Sequence, residues 1–258
     1  MVVLAIVNQK GGSAKTTTAV NLASSLASMG KKTLLIDFDP QASSTSWLKC
    51  KNESKDLYNV FVENTSINDI ITKTSVKGLF IIPSNHWLLG VEKILTTEVG
   101  AETVLKKKIK ELDENWDFIF IDCPPALGIL SLNALVAAEE VLVPLETRVM
   151  ALEGLAQLLR TIDTVQERLN PSLKINGIVP CRVDKRTKLS LDIVKDLKIR
   201  FKDSVYKTYI RENIKLAESP SFGMPINFYD KKSHGAIDYK ALAKEMISRK
   251  SHEQKNNR

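Results

Sequence analysis

Lys10-Gly11-Gly12-Ser13-Ala14-Lys15-Thr16-Thr17 separates an apolar run at residues 2–7 from an amphipathic stretch at residues 16–29. The run suits a buried strand and the stretch has helical periodicity, so the octapeptide joins a strand to a helix. Gly11 and Gly12 let the backbone turn its N–H groups toward one centre, and the helix N-terminus adds partial positive charge. An ammonium at Lys15 is placed to reach β- and γ-phosphates, and the Thr16 hydroxyl can ligate Mg²⁺. The stretch departs from the strict phosphate-loop pattern, which has glycine where Ala14 stands. Alanine resists the positive φ that glycine adopts freely.

Outward from the loop, apolar runs alternate with amphipathic stretches along the chain. Residues 2–8, 33–37, 79–83, 118–122, 141–144 and 175–180 read as strands. They are continuous apolar runs, as parallel strands covered on both faces require. Residues 16–29, 103–112, 130–138, 152–169 and 189–201 read as helices. This repetition predicts an α/β fold, a doubly wound, mostly parallel sheet flanked by helices. Residues 205–210 are expected to add a strand and 236–247 a closing helix, with two short helices somewhere in 49–74. Without repeats or a Pro/Gly-rich linker, one domain over 1–248 is expected, followed by a polar, frayed tail at 249–258.

Two further apolar runs end in acids. Asp122 closes Phe118-Ile119-Phe120-Ile121, at the strand edge where open α/β sheets bind ligands. An acid there can hold a Mg²⁺-bound water. Asp37 and Asp39 close the run before Pro40. One such aspartate would be an ordinary turn former, but three acidic strand ends beside a phosphate loop point to a nucleotide–Mg²⁺ site. Thr16, Asp39 and Asp122 are the expected metal-side residues.

Composition sets the boundaries. Of 258 residues, 43% are hydrophobic and 26% charged, enough for a sizeable core and against disorder. The three cysteines have neither CxxC nor His spacing, so a disulfide framework or zinc site is not expected and a reducing cytoplasm is. Lys and Arg total 37 against 30 Asp and Glu, a net +7 that suits a polyanionic partner.

KGGSAKTTTAVNLASSLA, LLIDFDPQ, FIFIDCPPALG and IKLAESPSFGMPI, in that order, resemble the ParA/Soj partition ATPases of the deviant Walker-A (MinD/ParA) class, from the first strand to about residue 247. The resemblance implies ATP and Mg²⁺ as cofactors, with residues Lys10, Gly11, Gly12, Ser13, Ala14, Lys15, Thr16 and Thr17 around the phosphates. Lys10 takes the place of the lysine that reaches across a nucleotide-sandwich dimer, and Gly11 that of a glycine packed at its interface. Asp39 matches the aspartate needed for hydrolysis and Asp122 the Walker-B acid, which makes Lys10, Lys15 and Asp39 the catalytic set. The family segment that encloses adenine usually reads IPRN. Here it is Ile210-Arg211-Glu212-Asn213, so Arg211 and Asn213 are the base-side residues. Ser13 and Ala14 replace Val and Gly of the usual loop, which implies hydrolysis slower than in relatives, and the resemblance implies that a partner stimulates it.

Members of the class differ in what they coat. MinD-like proteins use a C-terminal amphipathic helix on membranes, which needs a broad apolar face. Residues 244–254 offer only Met246 and Ile247, so no membrane partner is expected. ParA/Soj proteins bind double-stranded DNA without sequence preference as ATP dimers. Arg182, Lys185, Arg186 and Lys188 form a basic turn opening a helix, and Lys215 lies further on. Arg186 and Lys215 match DNA-contacting arginines of Soj-like relatives, although Lys215 lacks the guanidinium fork. A cytoplasmic, nucleoid-associated ATP-dependent homodimer with a ParB-like partner is the resulting expectation. The alternatives are a MinD-like positioning ATPase and a poorly hydrolysing regulator acting through protein contacts.

Overall fold

Each apolar run forms a strand because its neighbours cover both faces. The computed structural model describes residues 1–50, 55–148 and 151–256. From the N-terminus, β1 (Val2–Ile6) leads through the glycine loop to α1 (Lys15–Ala27), then β2 (Thr33–Asp37) and α2 (Ser43–Trp47). Next come α3 (Leu57–Val62), a 3₁₀ turn at Ile67–Ile70, β3 (Thr72–Lys73), β4 (Leu79–Ile82), α4 (Leu88–Leu95) and α5 (Val104–Lys110). The middle of the chain holds β5 (Phe118–Asp122), α6 (Ile129–Ala137), β6 (Glu140–Glu146), α7 (Ala151–Arg168) and β7 (Lys174–Cys181). It closes with α8 (Lys188–Phe201), α9 (Ile214–Phe222), α10 (Ile226–Tyr229) and α11 (His234–Asn256).

The sheet has seven strands in the order β3-β4-β2-β5-β1-β6-β7. All pairings are parallel except that of β3 with β4 at the edge. Alternate residues of each strand feed two apolar layers. Val3, Ala5, Leu34, Ile36, Ile119 and Ile121 pack with α4, α6 and α7, whereas Leu4, Ile6, Leu35 and Phe120 pack with α1 and α11. Small residues let α1 lie deep between the sheet and α11, with Ala19, Ala23 and Ser24 fully buried.

Residues 205–210 are not a strand. Val205 and Arg211 make isolated parallel bridges to Ile178 and Val183. Between them the ladder is interrupted because the N–H groups of Lys207 and Thr208 go to the Glu245 carboxylate, at 2.8 Å each. Nor does helix α11 end at 247, where the apolar pattern predicts its end. Arg249 donates to the carbonyls of Asp203 and Val205 at 3.0 and 2.9 Å, and its guanidinium lies 4.0 Å over the Tyr206 ring. Lys250 pairs with Glu140 at 2.9 Å. These contacts carry the helix to Asn256, where polar composition predicts fraying; residues 257 and 258 lie outside the described residues. In the 49–74 region the described residues form α3, the 3₁₀ turn and β3, while 51–54 lie outside them.

Gly177 in β7 permits the closest approach in this part of the fold. A Cβ there would lie 2.6 Å from Tyr206 Cε2 and 3.0 Å from the Ser204 carbonyl oxygen. Gly177→Ala is expected to destabilise the fold by about 2 kcal/mol through overpacking. That corresponds to a fall in Tm of roughly 4–8 °C by calorimetry; an unchanged Tm would mean that Tyr206 moves without cost.

Candidate functional site

The site is built where β1, β2 and β5 end together. Register pairs Ile6 with Asp122 and Asp37 with Asp122, so three strands deliver their C-terminal residues to one line. The loop leaving β1 is fixed at its start by Asn8, whose Nδ2 donates to the Pro144 carbonyl at 2.7 Å and whose Oδ1 accepts from Lys10 N at 3.0 Å. Gly12 has φ +74°. Ala14, at the N-cap of α1, has φ 68° and ψ 22° with no side-chain cap. A non-glycine residue in this left-handed region is strained by about 1 kcal/mol.

Lys15 and Lys10 occupy opposite situations. Lys15 is buried, and its Nζ donates to the Lys10 carbonyl at 3.4 Å. Burial lowers the Lys15 pKa, while negative charge at Asp122 and Asp39 pulls it back up. Lys10 is exposed, and a Cβ added at Gly11 or Gly12 would meet nothing within 4 Å. This face of the loop is therefore open. Ser13 is buried, with a hydroxyl that has no partner among the described residues.

The acids are embedded in hydroxyls. Asp122 is fully buried; its Oδ2 accepts from Ser44 Oγ at 2.8 Å, and the nearby Thr16 hydroxyl helps to stabilise the charged form. Asp37, equally buried, accepts from Thr45 N and Thr45 Oγ1 at 2.7 Å each. Burial pushes both carboxyls above the ordinary range, Asp37 further than Asp122 because the Asp122 charge adds to its burial. Asp39 accepts from Gln41 N at 2.9 Å through Oδ1, and its carbonyl takes the Ser84 hydroxyl at 3.0 Å. One carboxylate oxygen of Asp122 and one of Asp37 have no protein partner among the described residues. An orphaned Asp122 Oδ1 beside the Thr16 hydroxyl is a hard, oxygen-only donor set that fits Mg²⁺. No group of three His, Cys, Asp or Glu side chains among the described residues could hold a metal alone, so phosphate oxygens and waters would complete the shell.

Two hollows flank this centre. One of about 1020 Å³ is lined by Ala14 and Thr17 from the loop end, and by Arg182, Arg186, Arg211 and Asn213 opposite. The other, about 790 Å³, lies between Pro40–Ala42 and Ser84–Trp87, with Trp87 exposed on its rim. Arg182, Lys185 and Arg186, expected on a DNA face, therefore share a cavity with Arg211 and Asn213, whereas Lys188 and Lys215 stand outside its lining. Several of these cations are already paired. Arg182 meets buried Glu146 at 2.7 Å, Arg186 forks onto Asp184 at 2.9 Å, and Lys215 meets Glu218 at 2.9 Å. Lys185 lies 5.4 Å from the Tyr209 ring centroid. Asn213 caps α9 by accepting from Lys215 N at 2.8 Å, and Arg211 is engaged by Asp238.

A family profile described as an AAA domain matches residues 1–175. The chain is 44% identical to the sporulation initiation inhibitor protein Soj of Bacillus subtilis, over 95% of this chain and 98% of the relative. It is 46% identical to the chromosome-partitioning ATPase Soj of Treponema pallidum, over 95% of this chain and 97% of that one. The chain belongs to the Soj/ParA family of partition ATPases. Among solved structures, a cobyrinic acid a,c-diamide synthase from Mycobacterium smegmatis, with bound ATP analog and magnesium, superimposes with a TM-score of 0.82 at 35% identity, covering 95% of this chain and 93% of that one.

Within this Soj/ParA chain, Ser44, Thr45, Ser84 and Asn8 complete the site although sequence reading did not single them out. The hydroxyl run Ser43-Ser44-Thr45-Ser46 just after the second acidic strand end was the available signal. Strain at Ala14 has a direct test. Ala14→Gly is expected to stabilise the nucleotide-free protein by up to about 0.5 kcal/mol, since relief of the left-handed strain slightly exceeds the added chain entropy. Thermal unfolding reads this directly, and a lower Tm for the variant would show that the loop carries no such strain.

Proposed function

We propose that this chain is an ATP- and Mg²⁺-dependent dimerising ATPase that holds double-stranded DNA without sequence preference and segregates plasmid or chromosome DNA. The observation that carries this reading is the two-lysine loop, with Lys15 buried at the phosphate centre and Lys10 exposed beside glycines that nothing crowds. A second subunit can approach that open face, and Lys10 would then add a cation to the partner's phosphates. When bound, Mg²⁺ supplies charge neutralisation of the phosphate oxygens, and the chemistry is attack of water on the γ-phosphate. Lys15 and Lys10 offset the negative charge, Asp39 orients the attacking water, and Thr16 and Asp122 hold the metal side.

DNA contact is assigned to Arg182, Lys185, Arg186, Lys188 and Lys215. Their carboxylate partners lower the net positive charge, so phosphate contacts would have to compete with Asp184 and Glu218. A ParB-like protein would stimulate hydrolysis, and the setting would be the nucleoid in the cytoplasm. A membrane role has less support. Among the described residues no helix is long and apolar enough to cross a membrane, and Met246 on α11 is fully buried in the core.

A mobility shift on nonspecific duplex DNA tests the reading. Retention that requires ATP, persists in Asp39→Ala and fades with rising salt is expected. Reversing the charge of Arg186 together with Lys215 should weaken that retention by at least about tenfold while dimerisation persists; undiminished retention would move the DNA surface elsewhere. For Lys10→Ala, nucleotide binding should survive and the ATP-dependent dimer should be lost in light scattering. A dimer of unchanged stability would remove the cross-subunit role.

A further inference from the structure

Arg211 stands in the cavity wall, yet its hydrogen bonds run away from the cavity. Its backbone N–H donates to Asp238 Oδ2 at 3.0 Å, its Nε to both carboxylate oxygens at 3.1 and 2.9 Å, and its Nη2 to Oδ1 at 2.6 Å. Among the described residues, every hydrogen bond to the Asp238 carboxylate comes from Arg211. Asp238 is buried on α11, a setting where a charge is retained only if it is paired. Its neighbour Tyr239 lines the same cavity and places its hydroxyl 3.2 Å from Thr18 Oγ1, one turn along α1 from Lys15.

The rest of that wall is fastened by backbone. Ile210 N donates to the Pro180 carbonyl at 2.8 Å, Val183 N to that of Ile210 at 3.0 Å, and Glu212 N to that of Val183 at 3.2 Å. These bonds join 210–212 to 180–183, but none of them reaches α1 or the phosphate loop. Side chains on α11 provide one such link, by Arg211 to Asp238 and then Tyr239 to Thr18; the 210–213 segment itself is tied to that helix through Arg211.

We propose that Arg211 and Asp238 are a positioning pair for the nucleoside end of ATP: by fastening the 210–213 segment to α11 they fix Asn213 relative to the phosphate loop. Arg211 itself does not touch the nucleotide. The inference rests on the reading that the cavity beside Ala14 and Thr17 receives the adenosine. A pair of this kind acts on the part of the ligand that enters the cavity and leaves the phosphate contacts of Lys15 and Thr16 intact.

Calorimetric titration of the full chain with Mg²⁺–ATP and with Mg²⁺–tripolyphosphate separates the two ends of the ligand. In Asp238→Asn the affinity for ATP should fall about tenfold, and that for tripolyphosphate less than about twofold, as expected for losing a charged hydrogen-bonded pair. Arg211→Lys keeps the charge and gives up the fork, so it should show the same selective loss if Asp238→Asn folds poorly. Combining Arg211→Ala with Asp238→Asn should cost no more ATP affinity than the larger single effect. Equal weakening of both ligands, or no weakening of ATP, would overturn the proposal and leave the pair a structural contact. Wild-type protein that binds ATP no more tightly than tripolyphosphate would overturn the cavity reading, and the proposal with it.

Discussion

Parallel pairing of β1 between β5 and β6 is the constraint on which the rest of the structure depends. It sets the ends of β1, β2 and β5 level, and that alignment brings a glycine loop, Asp37, Asp39 and Asp122 to one edge of the sheet. A one-residue slip would turn the inward set Leu4, Ile6 and Phe120 to the other layer and withdraw the acids from the loop. The apolar alternation that forms the core is therefore also what places the charges. Asn8 extends this constraint into the loop, since its amide ties the first loop residues to the end of β6.

Charge in the site is held by hydroxyls rather than by opposite charges. Asp37 and Asp122 are buried side by side, and Thr45 and Ser44 supply their hydrogen bonds. Lys15 is the cation nearest this pair, and its Nζ is turned to a loop carbonyl. An arrangement of this kind has spare negative charge on one side and a desolvated ammonium on the other, which a phosphate–metal unit can bridge. The basic turn at 182–186 is organised differently, because most of its charge is already matched by Glu146 and Asp184.

Sequence pattern alone gives the strands of the sheet interior to within one or two residues, since continuous apolar runs have no other stable environment. It also gives the glycine loop between β1 and α1 and both acidic strand ends. Residues 205–210 were illegible because the decisive partner, Glu245, lies far along the chain and removes two N–H groups from the ladder. The helical extension past 247 was hidden for the same reason: Arg249 and Lys250 look like a solvated tail until Tyr206, Val205 and Glu140 are known to receive them. Within the candidate site, the charged side chains are legible by residue type, and the hydroxyls that hold them by hydrogen bond are not. Ser44 and Thr45 act through distances that only the folded chain creates.

The three indoles sit in three different surroundings. Trp116 is buried in the core, Trp47 is buried with its N–H donated to the Met224 carbonyl at 2.9 Å, and Trp87 stands exposed at the rim of the hollow beside Pro40–Ala42. Emission from Trp47 and Trp116 is shielded from solvent, so quenching by a water-borne iodide ion falls selectively on Trp87. The segment that follows Asp39 thus carries its own optical probe. Anything that covers that rim, whether a second subunit or a bound peptide, registers as protection of a single fluorophore in the unlabelled protein.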